Sequence, residues 1–110
     1  MIITWLFMEG KNTLCSIIRA DYVTKKVSVQ NYTEKNIYRA FGVNENPTWE
    51  DYEHFLRTRV MPESQDELKY TLKTMGVDAY DPLWIIEKTD GRVAEDAQWL
   101  IRLSGEDDLL

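Results

Sequence analysis

Few side chains in this chain could carry out chemistry. His54 is the single imidazole among 110 residues, and Glu50 lies four residues before it, a spacing that puts acid and imidazole on one helix face. Such a pair could pass a proton or supply two metal ligands. Glu50, Glu53, His54 and Arg57 also have the composition of a solvated helix face, and no second His is present to complete a common metal site. His54 is therefore read as a surface residue. Cys15, the single cysteine, sits among Leu14, Ile17 and Ile18 with no basic neighbour to lower its pKa, and reads as a buried, inert thiol.

Carboxylates are abundant. Glu95 and Asp96, joined by Asp81, are the set that could bind Mg²⁺ through oxygen ligands. Asp51 and Asp81 also suit helix N-caps, and Glu95-Asp96 suits a turn before a strand, where acids need no ion. No catalytic residue, metal ligand or cofactor is expected. The five glycines, Gly10, Gly42, Gly76, Gly91 and Gly105, are each isolated, so no phosphate-cradling loop exists. Gly91-Arg92-Val93-Ala94-Glu95-Asp96, followed by Trp99, has two readings. It can be a helix stop, a turn and a core Trp, or an exposed loop whose Arg92, Glu95 and Asp96 contact a partner.

The elements that position these residues follow from periodicity. Strands are predicted near 2–8, 13–20 and 27–32, a meander joined by turns at Glu9–Asn12 and Asp21–Lys26. Thr33–Phe41 reads as a short helix, capped by Thr33, with Ile37, Ala40 and Phe41 inward and Gly42 beyond its end. Thr48 and Asp51 form a capping box before a helix near 49–59. Ser64 and Glu67 form another before a helix near 65–75, which Gly76 closes. Asp81-Pro82 starts a third helix near 82–90. Trp99, Ile101 and Leu103 alternate, predicting a strand near 97–103, with a helix through Ala94 and Leu100 as the competitor. Trp49, Tyr52, Leu56, Leu72, Trp84, Ile86 and Trp99 are the expected core. The fold class is α+β: a small antiparallel sheet, three strands in a meander plus one returning strand, covered on one face by about three helices. Residues 1–103 form one domain, and 104–110 an acidic tail expected to fray.

Composition supports a packed domain and limits its partners. Four Trp, six Tyr and three Phe supply a core, since each aromatic buries roughly 150–250 Å². Net charge is −6, from 19 acidic against 13 basic residues. That balance disfavours direct binding to nucleic acid or to an anionic membrane. A single cysteine and an N-terminus without a basic leader point to the cytoplasm.

Ala40-Phe41-Gly42-Val43, Pro47-Thr48-Trp49-Glu50-Asp51-Tyr52 with Phe55-Leu56, Tyr80-Asp81-Pro82, and Thr89-Asp90-Gly91-Arg92 with Ala94-Glu95-Asp96 and Trp99 form a pattern over about two-thirds of the chain. It resembles a family of small proteins of anaerobic Firmicutes and their mobile elements. The resemblance implies a mobile-element setting and an association with HipA-like kinases, and it implies no activity. This chain carries Val60 and Val93 where the family carries Cys and Met, which speaks against thiol chemistry at the first position.

These readings converge on a non-enzymatic, acidic interaction protein that binds and inhibits or regulates a larger bacterial protein. Its most concrete form is an anti-CRISPR-like inhibitor whose Glu50, Glu53, Arg92, Glu95 and Asp96 meet a basic, nucleic-acid-handling partner. An antitoxin-type partner of a HipA-like kinase is the alternative, and a carboxylate-and-metal enzyme the second alternative.

Overall fold

The structure is a computed structural model describing residues 1–103. β1 (Ile2–Glu9), β2 (Thr13–Asp21) and β3 (Lys26–Asn31) form the meander, and β4 (Gln98–Leu103) returns to pair with β1. The order is β3-β2-β1-β4, antiparallel throughout. Three helices join β3 to β4: α1 (Trp49–Thr58), α2 (Leu68–Met75) and α3 (Pro82–Thr89). The fold class is α+β, and β4 is a strand where a helix had been the competitor.

Side-chain alternation along β1 sets the layers. Ile3, Trp5 and Phe7 are buried, and so are their cross-strand partners Ala20, Ile18 and Leu100. Tyr52, Phe55 and Leu56 of α1, Leu72 of α2, and Ile85 and Ile86 of α3 complete this cluster. Phe7 meets Phe55 edge to face, with ring centroids 5.1 Å apart. On the far face, Ser28 and Gln30 are exposed, while Leu6, Ile17 and Ile101 are half-buried.

Several expectations need correction. Residues 33–41 contain only a 3₁₀ turn, Asn36–Tyr38, and Ile37 is 81% exposed. The Thr33 hydroxyl accepts from the Lys35 amide and Arg39 donates to the Thr33 carbonyl, bonds that compete with a short helix. Ser64 caps nothing: Gln65 turns back onto the Pro62 carbonyl, and α2 begins only after Glu67, which is left-handed and makes no capping bond. Trp84 is 50% exposed because α3 turns Ile85 and Ile86 inward.

The alternation predicted for β4 is present in the opposite phase. Leu100, not Trp99, faces the helices, and Trp99 is half-buried on the other side, its indole donating to the Gly10 carbonyl at 2.7 Å. Polar Gln98 is tolerated on the helix side because its amide donates to the Tyr38 carbonyl. Trp49 is likewise only half-buried, whereas Tyr52, Leu56, Leu72 and Ile86 are buried as expected. The predicted tail, 104–110, lies outside the described residues.

Candidate functional site

α1 organises both surfaces on which the candidate residues lie. At its start the capping box is complete: the Asp51 amide donates to Thr48 Oγ1 at 3.2 Å, and the Thr48 amide donates to Asp51 Oδ2 at 2.9 Å. The bond from the Thr48 amide holds the Asp51 carboxyl below the usual range. Asp51 is thus committed to the fold. Glu50 and Glu53 are exposed, and neither forms an ion pair or hydrogen bond among the described residues.

Glu53 borders a depression of about 150 Å³ walled by Tyr22, Trp49 and Tyr52. The Tyr22 and Trp49 rings stand at 89° with centroids 4.8 Å apart, and Tyr52 lies 5.0 Å from Trp49. A chain of polar contacts fixes the two tyrosines: Trp5 Nε1 donates to the Tyr52 hydroxyl at 2.9 Å, and the Tyr22 and Tyr52 hydroxyls are 2.8 Å apart. Burial pushes both tyrosine pKa values up, so these hydroxyls stay neutral. Lys25 reaches across the corner, its ammonium 5.0 Å from the Trp49 ring and 5.7 Å from that of Tyr22. It does so from the turn between β2 and β3 with φ +57°, a left-handed conformation that disfavours residues with a Cβ. Asp21 steadies that turn by accepting from the Val23 and Thr24 amides, and those bonds lower its own pKa.

At the other end of α1, Arg59 is 4% exposed and donates four hydrogen bonds. Nε donates to the Gly91 carbonyl at 2.9 Å, Nη1 and Nη2 fork onto Asp96 at 2.9 and 3.1 Å, and Nη2 also donates to the Gln98 carbonyl at 2.7 Å. Its guanidinium stacks 5.2 Å from the Phe7 ring centre. Arg59 pulls the Asp96 carboxyl below the usual range, while Asp96 also accepts from the Gln98 amide. Gly91 is required here: φ is +65°, and a Cβ would lie 3.0 Å from Leu100 Cδ1. The clamped loop borders a groove of about 670 Å³ lined by Met61, Pro62, Arg92, Val93 and Glu95, among others. Arg92 stacks on Trp99 at 4.7 Å, and Glu95 is exposed.

The expected partner-binding residues therefore fall into two groups. Glu50 and Glu53 lie along α1, while Arg92, Glu95 and Asp96 belong to the loop docked at its far end. Arg57 lines both depressions. Asp96 differs from the others because Arg59 consumes its charge. Arg59 itself, Tyr22 and Lys25 were missed in the sequence. Arg59 had a signal: it lies three residues beyond Leu56 and seven beyond Tyr52, on the apolar stripe, where a cation needs a buried partner.

Cys15 is buried, and burial raises its pKa. His54 is exposed. Asp81 accepts from the Leu83 amide at 3.0 Å as the α3 cap, and it borders the aromatic depression, whereas Asp96 borders the groove. The Mg²⁺ set considered from sequence is thus not assembled, and among the described residues no group of three or more His, Cys, Asp or Glu side chains could hold a metal ion. No described helix is long and apolar enough to cross a membrane. Comparison of the chain with family models, with curated proteins and with solved structures finds no match.

Proposed function

We propose that this protein is a non-enzymatic binding module that uses the exposed side of α1 to engage a cationic surface on a larger protein. The observation that carries the reading is the contrast among its acids. Asp51, Asp81 and Asp96 are engaged within the fold, while Glu50 and Glu53 stand exposed and unpaired on α1, Glu53 beside an aromatic depression. Exposed carboxylates next to rings suit a partner surface built of Lys and Arg. The most concrete partner is a CRISPR effector nuclease, whose nucleic-acid groove is such a surface, which makes the protein an anti-CRISPR-like inhibitor.

The test is binding of the folded protein to a Cas9-type nuclease–guide complex across a salt series. Association should slow as salt rises, because exposed charges are screened within a Debye length of ~8 Å at physiological ionic strength. The double variant Glu50→Lys/Glu53→Lys should associate roughly tenfold more slowly while still folding, with a stability loss held to about 1 kcal/mol from the reversed charge in the first turn of α1, since both side chains are exposed. Equal association of variant and wild type at low and high salt would overturn the acidic-surface reading.

A further inference from the structure

We propose that the corner formed by Tyr22, Trp49 and Tyr52 is a binding site for an organic cation, the ammonium or guanidinium of a partner's Lys or Arg side chain, and that Lys25 fills it in the free protein. The inference rests on the reading of α1 as a surface for a cationic partner, and it names the pocket where one cationic side chain inserts.

Three observations carry it. First, the rings are arranged to receive a positive charge. Tyr22 and Trp49 stand perpendicular at 4.8 Å with buried Tyr52 packed behind them, and the Lys25 ammonium lies over the Trp49 and Tyr22 rings, the two that a ligand cation would meet. Second, the walls are built before a ligand arrives. The Trp5–Tyr52–Tyr22 chain of hydrogen bonds holds two of the rings, so little ordering remains to be done on binding. Third, the position is already taken by a cation. The Lys25 ammonium lies within cation–π range of both Trp49 and Tyr22, although its backbone sits at φ +57°, where glycine would be at ease.

The charges around the corner leave room for a cation to replace a cation. Glu53 and Asp81 line it together with Lys25 and Arg57, two acids against two bases. Exchanging the Lys25 ammonium for an incoming one keeps that balance. The rim is therefore neutral, and the ring faces, which repel an anion and attract a cation, set the preference. Lys25 projects from a hairpin turn, so it can swing out to solvent without disturbing a strand or helix, and Glu50 and Glu53 on the same helix would draw the partner's basic surface towards the opening.

The experiment uses side-chain analogues, n-butylammonium for Lys and n-propylguanidinium for Arg, with butyrate as the anionic control. Ring resonances of Trp49 and Tyr22 are followed by NMR in the unsubstituted chain and in Lys25→Gly, a substitution that suits the left-handed turn and so keeps the fold. The cations should shift these resonances saturably at millimolar concentrations. Lys25→Gly should bind them roughly two- to fivefold more tightly, the gain expected from removing one exposed cation–π competitor. Trp49→Leu in the Lys25→Gly background should abolish the effect. The site is refuted if Lys25→Gly shows no saturable shift with either cation, binds no more tightly than wild type, or responds equally to butyrate. Such a failure would leave the salt-dependent binding through Glu50 and Glu53 intact, and loss of the latter would leave the pocket measurement intact, so the two readings fail separately.

Discussion

Removing the Arg59 guanidinium should unfasten the loop that precedes β4. Arg59→Met keeps the stem length and apolar packing against Phe7 but deletes all four donated bonds. The Asp96 side chain is 37% exposed and can turn to water. The Gly91 and Gln98 carbonyls belong to buried residues and cannot do so easily. Each of these two orphaned acceptors costs about 1–3 kcal/mol, so the total should be about 2–6 kcal/mol. The native tryptophans report urea unfolding directly, and Arg59→Lys should recover only part of the loss, since one ammonium cannot span three acceptor groups.

The pair also sets a pH dependence. Arg59 holds the folded Asp96 pKa below its unfolded value of ~3.9, so its stabilisation is full above that value and is lost as pH falls through the lower folded value. Asp96→Asn should therefore flatten the acid limb of the stability curve below about pH 4 relative to wild type. A loss under ~1 kcal/mol in Arg59→Met would refute the clamp, because that is the scale of an ordinary surface change.

Two further expectations concern packing and caps. Leu100→Ala should cost more than Trp99→Ala, about 3 kcal/mol or above against a smaller value, because Leu100 is in the core and Trp99 only half-buried; the reverse order in urea denaturation would return Trp99 to the core. Thr48→Ala should cost about 1 kcal/mol through loss of the capping box, whereas Ser64→Ala should be silent, and equal effects would contradict the observed start of α2.

Element types were legible wherever the signal was local. Thr48 with Asp51, Asp81 before Pro82, and Gly76 in the left-handed C-cap are contacts within a few residues, and each occurs as read. Thr33–Phe41 and Ser64 show the limit of local reasoning. Both segments carry acceptable helix starters, but short side-chain and backbone turns satisfy the same groups without a helix. The phase of β4 was illegible for a different reason. Alternation establishes that Trp99, Ile101 and Leu103 share a face and does not say which face the helices cover. Size suggested Trp99. Pairing of Leu100 with Phe7 decides otherwise, because Phe7 already packs against Phe55 beneath α1.

The candidate site divides along chemistry the sequence does contain, although it becomes visible only with the tertiary partners in place. Asp21, Asp51, Asp81 and Asp96 all accept from backbone amides two or three residues away, a reach that suits the short aspartate side chain. Arg59 then adds a second hold on Asp96 from 37 residues away. Glu50, Glu53 and Glu95 carry one more methylene, sit on a helix face or loop without such amides, and remain exposed. Glu95 and Asp96 are neighbours with the same charge, yet one extends into solvent and the other is fastened to the fold. Net charge cannot separate these roles. On the exposed side of α1 the charges free to meet a cationic surface are those of Glu50 and Glu53, while Asp51, Asp81 and Asp96 keep the helix ends and the loop before β4 in place.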